Sequence, residues 1–453
     1  MNERETWATR IGFLLAAIGS AVGLGNIWQF PFKTATNGGA IFVLVYLVAV
    51  LVIGLPTLLA EFVVGRRTRT NAVDAFEKLG HRNWRIVGAL GAFIGFWIVG
   101  YYSVVGGWVG RYIIGSARGA YFDAPAQYFG TVSAGPDAIL FHALFMAVTV
   151  AVVAFGIEDG IEKATKVMVP SIVVLMLGLA IWAATLGGAA DGYTYFLNPD
   201  FSQLASNAGE IIPFAVSQAF FTLSLGMAIM ITYSSYVDED TSLFVDGGAI
   251  VVTNTAVGIL AGLVVFPILF ANNIEASTSG PAAIFVAMAS AFSQVPGGRI
   301  LGVAFFAVVL IAALSSAISL MEVIVSWATD HSDISRPAMA GGIGTALFVL
   351  GLPSAWDTAW LTWFDNIAYK LLLPTSVLLL LIFVGYVLGS DAISELGKGS
   401  SLATLGPVWL WTIRTVVVLS VVITLALGIE TLLAGDFMGL ELIGEDPPIL
   451  PPF

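Results

Sequence analysis

Residues 19–31 read GSAVGLGNIWQFP: three glycines within seven residues, then an asparagine and a proline, all inside an apolar run that begins at Ile11. Crowded glycines favour unwinding over helix. Pro31 withdraws an amide hydrogen from the ladder, and Asn26 is a costly side chain in hydrocarbon. Each stranded backbone group costs several kcal/mol in lipid, so non-helical main chain survives there only where protein buries it or a watery cavity meets it. The free carbonyls and amides are therefore a ligand set for something polar. Residues 218–236, QAFFTLSLGMAIMITYSSY, repeat the pattern more weakly, with Thr222, Ser224 and Gly226 in the middle of the run. Half-helix N-termini present positive dipole ends to an anion, whereas half-helix C-termini and freed carbonyls suit a hard cation such as Na+. A third stretch, IAALSSAISLMEV at 311–323, offers the hydroxyls of Ser315 and Ser316 to a cation, although serines in membrane helices commonly bond back to their own turn. Glu322 lies two turns beyond Ser315 on the same face, either as a proton site or as a structural acid bonded to a neighbouring helix.

The elements that must hold these groups follow from composition. The chain has 453 residues, 58% hydrophobic and 11% charged, with a mean hydropathy of +0.92, which places it among all-α polytopic membrane proteins. Crossing about 30 Å of hydrocarbon takes roughly 20 apolar helical residues. Eleven such runs are present, near 10–33, 40–65, 86–117, 138–156, 166–187, 209–236, 247–271, 300–328, 337–353, 358–388 and 406–434. They lack the two-residue alternation of a membrane barrel. The two interrupted runs are the first and the sixth. Broken helices five apart point to a 5+5 inverted repeat with discontinuous helices 1 and 6 and a site at the bilayer midplane. The expected organisation is one transmembrane domain over 1–453, with repeat one at about 10–187, repeat two at about 209–388 and an additional helix at 406–434.

Twelve of the eighteen Lys and Arg residues fall in segments that share a side with the N-terminus, among them Arg66, Arg67, Arg69, Arg82, Arg85, Lys163, Lys166 and Lys398. The N-terminus is accordingly expected in the cytoplasm and the C-terminus outside. No cleavable signal peptide is expected. The absence of cysteine removes disulfides and thiol chemistry, and three scattered histidines make no metal cluster. A net charge of -12 argues against a nucleic-acid partner. No constellation of catalytic side chains falls at membrane depth, which argues against an enzyme, and no charged ring marks a channel.

ATRIGFLLAAIGSAVGLGNIWQFPF, followed by NGGAIF, FFTLSLGM and ITYSSY, strongly resembles the neurotransmitter:sodium symporter family, in particular its prokaryotic amino-acid transporters of LeuT-like fold. Broken helices of this kind are known from that family itself, so the likeness restates the repeat rather than adding to it. The resemblance implies a sodium-coupled symporter in a prokaryotic plasma membrane, with an amino acid as partner and two Na+ ions. The first ion would take the Ala21 carbonyl, Asn26, Thr222 and Asn254; the second, the carbonyls of Gly19, Val22 and Ala312 and the hydroxyls of Ser315 and Ser316. The substrate would lie among Ala21, Leu24, Gly25, Ile98, Tyr102, Phe221, Thr222, Ser224, Met227, Ser316 and Leu320, with Tyr102 and the Gly25 amide on its carboxylate. Relatives that carry monoamines place an Asp where Gly23 stands, so here the ligand should bring its own carboxylate. The apolar Ile98, Phe221, Met227 and Leu320 favour a hydrophobic L-amino acid, aliphatic or aromatic. Where similar transporters have Gly-x-Gly, Gly226, Met227 and Ala228 add a methyl that restricts bulky rings. Other outcomes left open are a carrier of another zwitterion and a non-transporting sensor of the same fold.

The resemblance also implies gates. Arg4 and Asp330 match the inner ion pair, supported by Trp7, Ser235 and Tyr236. Outside, Tyr102 and Phe221 form the lid and Asp365 the acidic gate, but Gln29 replaces the usual Arg, so a weaker Gln29–Asp365 hydrogen bond and a looser gate are expected. Chloride-dependent relatives use residues matching Tyr46, Gln218, Thr222, Asn254 and a serine; Gly258 stands at the last, which leaves chloride undecided. The coupling ratio and oligomeric state are not readable from the chain.

Overall fold

The computed structural model describes residues 7–274 and 283–433, and all the regular elements among them are helices. The first span is broken: α1a (Arg10–Ala21) and α1b (Gly25–Thr36) meet at 45°. There follow α2 (Ala40–Thr68), α3 (Arg82–Arg118), α4 (Pro136–Ala154) and α5 (Ile157–Ala183). The sixth span is divided into α6a (Phe201–Thr222) and α6b (Ile229–Ser234). The remaining spans are α7 (Leu243–Ala271), α8 (Gly298–Asp330), α9 (Arg336–Trp356), α10 (Thr358–Leu388) and α11 (Ala403–Leu432). Among the described residues nine continuous helices are long and apolar enough to cross a membrane, and the bent first pair makes a tenth. The eleventh expected run is the α6a/α6b pair, which its own break keeps from passing as one helix.

Three helices hold a wide π turn whose last residue lies two before a proline: Gly25–Gln29 before Pro31, Val50–Gly54 before Pro56 and Ala368–Leu372 before Pro374. Proline cannot donate to the preceding turn, and widening that turn lets the chain run on without a clash. α5 begins well before the apolar run at 166–187, because its polar first turns are partnered rather than exposed to lipid: Glu162 accepts from Lys166 Nζ at 2.7 Å.

α3 and α8 pack against each other over much of their length, flanked by α4 and α9. α1a lies against α5, α7, α8 and α6b, while α6b lies on α2. The last contact needs Gly65, since a Cβ there would stand 2.1 Å from the Ile231 carbonyl. Apolar side chains such as Val174, Ile181, Val252, Ile300 and Leu419 point outward and stay exposed, as lipid-facing residues do. The two broken spans are thus enclosed by unbroken ones, at the depth where their freed backbone must be satisfied.

Candidate functional site

The helix of α1a stops at Val22, whose backbone turns extended (φ −79°, ψ 91°), and winds again at Gly25. Between these points the main chain is met by side chains. Tyr102 Oη accepts from Leu24 N at 3.2 Å, and Asn26 Oδ1 accepts from Gly23 N at 3.3 Å. The Ser20 carbonyl receives two hydroxyls, Ser316 Oγ at 2.9 Å and Ser224 Oγ at 3.0 Å. Gln218 Nε2 donates to the Gly25 carbonyl at 2.9 Å, tying α6a to α1b.

The second break is more strained. Ser224, Gly226 and Ala228 all have positive φ, at 54°, 78° and 59°. For the two non-glycine residues this costs about 1–2 kcal/mol each. Glu61, fully buried in α2, secures the loop by accepting from Gly226 N at 2.7 Å. Ala228 therefore does not keep the chain from unwinding, since it is itself left-handed. Its methyl fits because Gly91 of α3 faces it, where a Cβ would stand only 2.7 Å away.

The two breaks face each other across a small, narrow cavity. Ala21, Leu24, Gly25, Ile98, Tyr102, Phe221, Ser224, Met227, Ser316 and Leu320 line it, together with Ser20 and Gly23, to which no contact had been assigned from sequence. Thr222 does not line it: its hydroxyl turns to Asn254, which donates from Nδ2 at 3.2 Å. A Cβ on Gly23 would stand 2.3 Å from Ser316 Oγ, so an acidic side chain there would require a smaller residue at 316.

Beside the cavity, oxygens crowd together. Asn26 Nδ2 donates to both the carbonyl and Oδ1 of Asn254, at 3.0 and 2.9 Å. Asn254 Oδ1 faces the Ala21 and Thr222 carbonyls at 3.0 and 3.1 Å. Turned over, the amide would donate from nitrogen to both carbonyls and its oxygen would accept from Thr222 Oγ1 at 3.2 Å, and in either orientation the Ala21 and Thr222 carbonyls, the Thr222 hydroxyl and the Asn254 amide oxygen lie together. A shell of hard oxygens at such spacing fits a hard cation. On the other side of α1a, Ser315 Oγ lies 2.9 Å from the Ala312 carbonyl and 3.5 Å from that of Val22, with Gly19 packed alongside. Ser316 is not part of this group, because its hydroxyl turns to Ser20.

The mouth at the Arg10 end is closed by α1a. Trp7 Nε1 donates to the Tyr233 carbonyl at 3.0 Å and packs edge-on against Tyr233 and Tyr236. Glu162 of α5 accepts from Ala8 N at 2.9 Å and from Thr9 Oγ1 at 2.8 Å. Arg10 Nε donates to Asp246 of α7 at 3.1 Å. Arg4 lies outside the described residues; Asp330 accepts from Asn71 at 2.9 Å. Ser235 bonds back to the Thr232 carbonyl at 2.6 Å. Glu322 pairs with Arg336 at the start of α9 and accepts from Tyr236 Oη at 3.5 Å. At the far mouth the expected Gln29–Asp365 bond is not made. Asp365 accepts from Tyr101 Oη at 3.0 Å, and Gln29 is buried with Oε1 unpartnered. Of these residues Glu61, Glu162, Asp246 and Tyr101 had not been singled out; a carboxyl inside an apolar run, as at Glu61, was the available signal.

A membrane bundle whose two broken helices enclose a small closed cavity has the build of a secondary transporter. Residues 4–121 and 136–436 match the sodium:neurotransmitter symporter family, and the chain belongs to it. It is 35% identical over 93% of its length to the sodium-dependent transporter YhdH of Bacillus subtilis, 98% of which is covered. A sodium-dependent transporter of Methanocaldococcus jannaschii is 34% identical, over 90% of this chain and 87% of that one. Among solved structures, MhsT in complex with L-phenylalanine superposes with a TM-score of 0.85 at 38% identity, over 94% of this chain and 99% of MhsT. The protein is thus a sodium-dependent membrane transporter of LeuT-like fold, and its relatives are transporters rather than enzymes.

Proposed function

We propose that the chain is a symporter that imports a hydrophobic L-amino acid, aliphatic or aromatic, together with two Na+ ions by alternating access. The observation that carries this reading is the cavity's division into a polar and an apolar end. Ile98, Phe221, Met227 and Leu320 form the apolar wall. At the polar end Tyr102 accepts from Leu24 N, which leaves its own proton for a carboxylate, and α1b begins at Gly25 with a positive dipole end, its Asn26 and Ile27 amides bonded to the Gly23 carbonyl. The carbonyl ends of α1a and α6a suit the ammonium. No carboxylate lines the cavity, so an amino acid supplies its own. That carboxylate would stand beside Ala21, Asn26, Thr222 and Asn254, where each of substrate and first Na+ raises the affinity of the other by the same factor. The Val22 and Ala312 carbonyls with Ser315, next to Gly19, would hold the second ion. MhsT binding L-phenylalanine at 38% identity supports the substrate class.

The Arg10 end is read as cytoplasmic, because the cations of the α2–α3 connection lie on that side. Chloride is read from Gly258, where a Cβ would meet only ordinary contacts at 3.7 and 3.8 Å, so packing does not force the missing hydroxyl. Uptake in gluconate against chloride medium is expected to be equal. The central test is labelled L-phenylalanine in proteoliposomes with and without an inward sodium gradient. Concentrative uptake that needs the gradient is expected. Binding without flux would make the protein a sensor, and flux of betaines but of no standard amino acid would make it a carrier of another zwitterion.

A further inference from the structure

We propose that the cation of the outer gate has moved one helical turn along α1b, from position 29 to Lys33, which closes against Asp365. The proposal rests on the transport reading above and names a gating residue that reading does not contain. Residues 29 and 33 are spaced i, i+4, so they share a face of α1b, with Lys33 nearer the outer mouth. Gln29 carries no charge, does not bond Asp365 and leaves Oε1 unpartnered in a buried position. Asp365 is held on the opposite wall: Tyr101 of α3 donates to it at 3.0 Å, and Trp97 Nε1 fixes the neighbouring Phe364 carbonyl at 2.9 Å. Tyr369, four residues beyond Asp365 on α10, faces the Lys33 ammonium.

Lys33 is also received by rings. Its Nζ lies 4.7 Å from the centre of Phe214 and 5.7 Å from those of Tyr369 and Phe32. Tyr369 in turn packs on Phe221, their centres 5.9 Å apart, and Phe221 lines the cavity. From outside inward the order is ammonium, Tyr369, Phe221, cavity. A lysine is a compact, strongly hydrated charge on a flexible stem and makes no fixed two-pronged bond to a carboxylate. It suits a gate that opens often, because water replaces its partners at little cost. Closure brings α1b and α10 together through Lys33 and the rings beneath it, and removal of the charge leaves the lid without its outer tie.

The test follows dissociation of prebound labelled L-phenylalanine from the purified protein in Na+. Lys33→Gln is expected to accelerate release about tenfold, from loss of an attraction of cation–π and ion-pair size. Asp365→Asn is expected to do the same, and the double variant to be no faster than either single one. Gln29→Arg placed in the Lys33→Gln background should restore slow release by returning the charge. Unchanged release in Lys33→Gln, or additive effects of the two variants, would overturn the proposal. If the unaltered protein binds no L-phenylalanine, the substrate reading fails, and the gate is read separately. The chain has no cysteine, so Ser217→Cys, in a cleft beside Phe214 and Tyr369, reports opening by its rate of reaction with an impermeant thiol reagent. Lys33→Gln should raise that rate several-fold, and an equal rate would overturn the proposal.

Discussion

At the Arg10 mouth, proposed above as the inner one, the start of α1a is tied to three other helices by directional bonds: Glu162 of α5 to Ala8 and Thr9, Asp246 of α7 to Arg10, and the Tyr233 carbonyl of α6b to Trp7. At the outer mouth the Tyr101–Asp365 bond and the Trp97 indole on the Phe364 carbonyl stand beside rings packed around a lysine. Hydrogen bonds to charged groups contribute about 1.5–3 kcal/mol each, against about 0.5–2 kcal/mol for a cation on a ring. Opening inward must break several short bonds nearly at once. Opening outward needs rings to slide and an ammonium to rehydrate. The asymmetry favours a transporter that samples the outer side readily and commits to inner release only after the ligands are in place.

The comparison is broken most sharply at Glu162, whose side chain is 1% exposed. Glu162→Ala strips Thr9, the Ala8 amide and Lys166 of their partner, and should destabilise the inward-closed form by about 3 kcal/mol. Sodium-driven uptake should then be nearly lost, while an introduced cysteine near Phe13 becomes reactive from the inner side. If labelling and uptake both match the unaltered protein, α1a is not held at this point. Asp246→Asn keeps the shape and removes the charge facing Arg10, with an expected cost of about 2 kcal/mol in thermal stability measured in detergent. Arg10→Gln should cost less, since Arg10 is 54% exposed and water replaces its partner. Tyr101→Phe at the outer mouth removes a single bond to the Asp365 carboxylate and should cost about 1.5 kcal/mol, less than Asp246→Asn. Trp7→Phe deletes one indole hydrogen bond and should cost about 1 kcal/mol, seen as modestly faster inner-side labelling. A larger loss from Tyr101→Phe than from Asp246→Asn would reverse the ranking of the two mouths.

Much of the site was legible because its chemistry is local. Three glycines, Asn26 and Pro31 lie within one short stretch, and the break falls where they predict, at 22–24. The second break was legible at Ser224 and Gly226 but not at Ala228, whose left-handed backbone is imposed by the loop between α6a and α6b. The stretch around Lys33 shows only a cation near a helix end; its rings come from α6a and α10 as well as its neighbour Phe32. The partner of Glu322 was not legible, because Arg336 reaches it from the start of α9. Gln29 was expected to bond Asp365 and does not, because residue type identifies a missing charge but not how far two side chains stand apart once packed.

Hydropathy and the placement of glycine and proline decided, from the chain alone, which segments enter the membrane and where two of them must unwind. These are properties of a few consecutive residues and of the cost of bare backbone in lipid. Which side chain answers each freed group was decided by packing, since the partners are far apart in sequence: 165 residues between Glu61 and Gly226, 228 between Asn26 and Asn254, 296 between Ser20 and Ser316. A hydrogen bond acts over about 3 Å, so only the assembled bundle can choose among donors so widely separated along the chain.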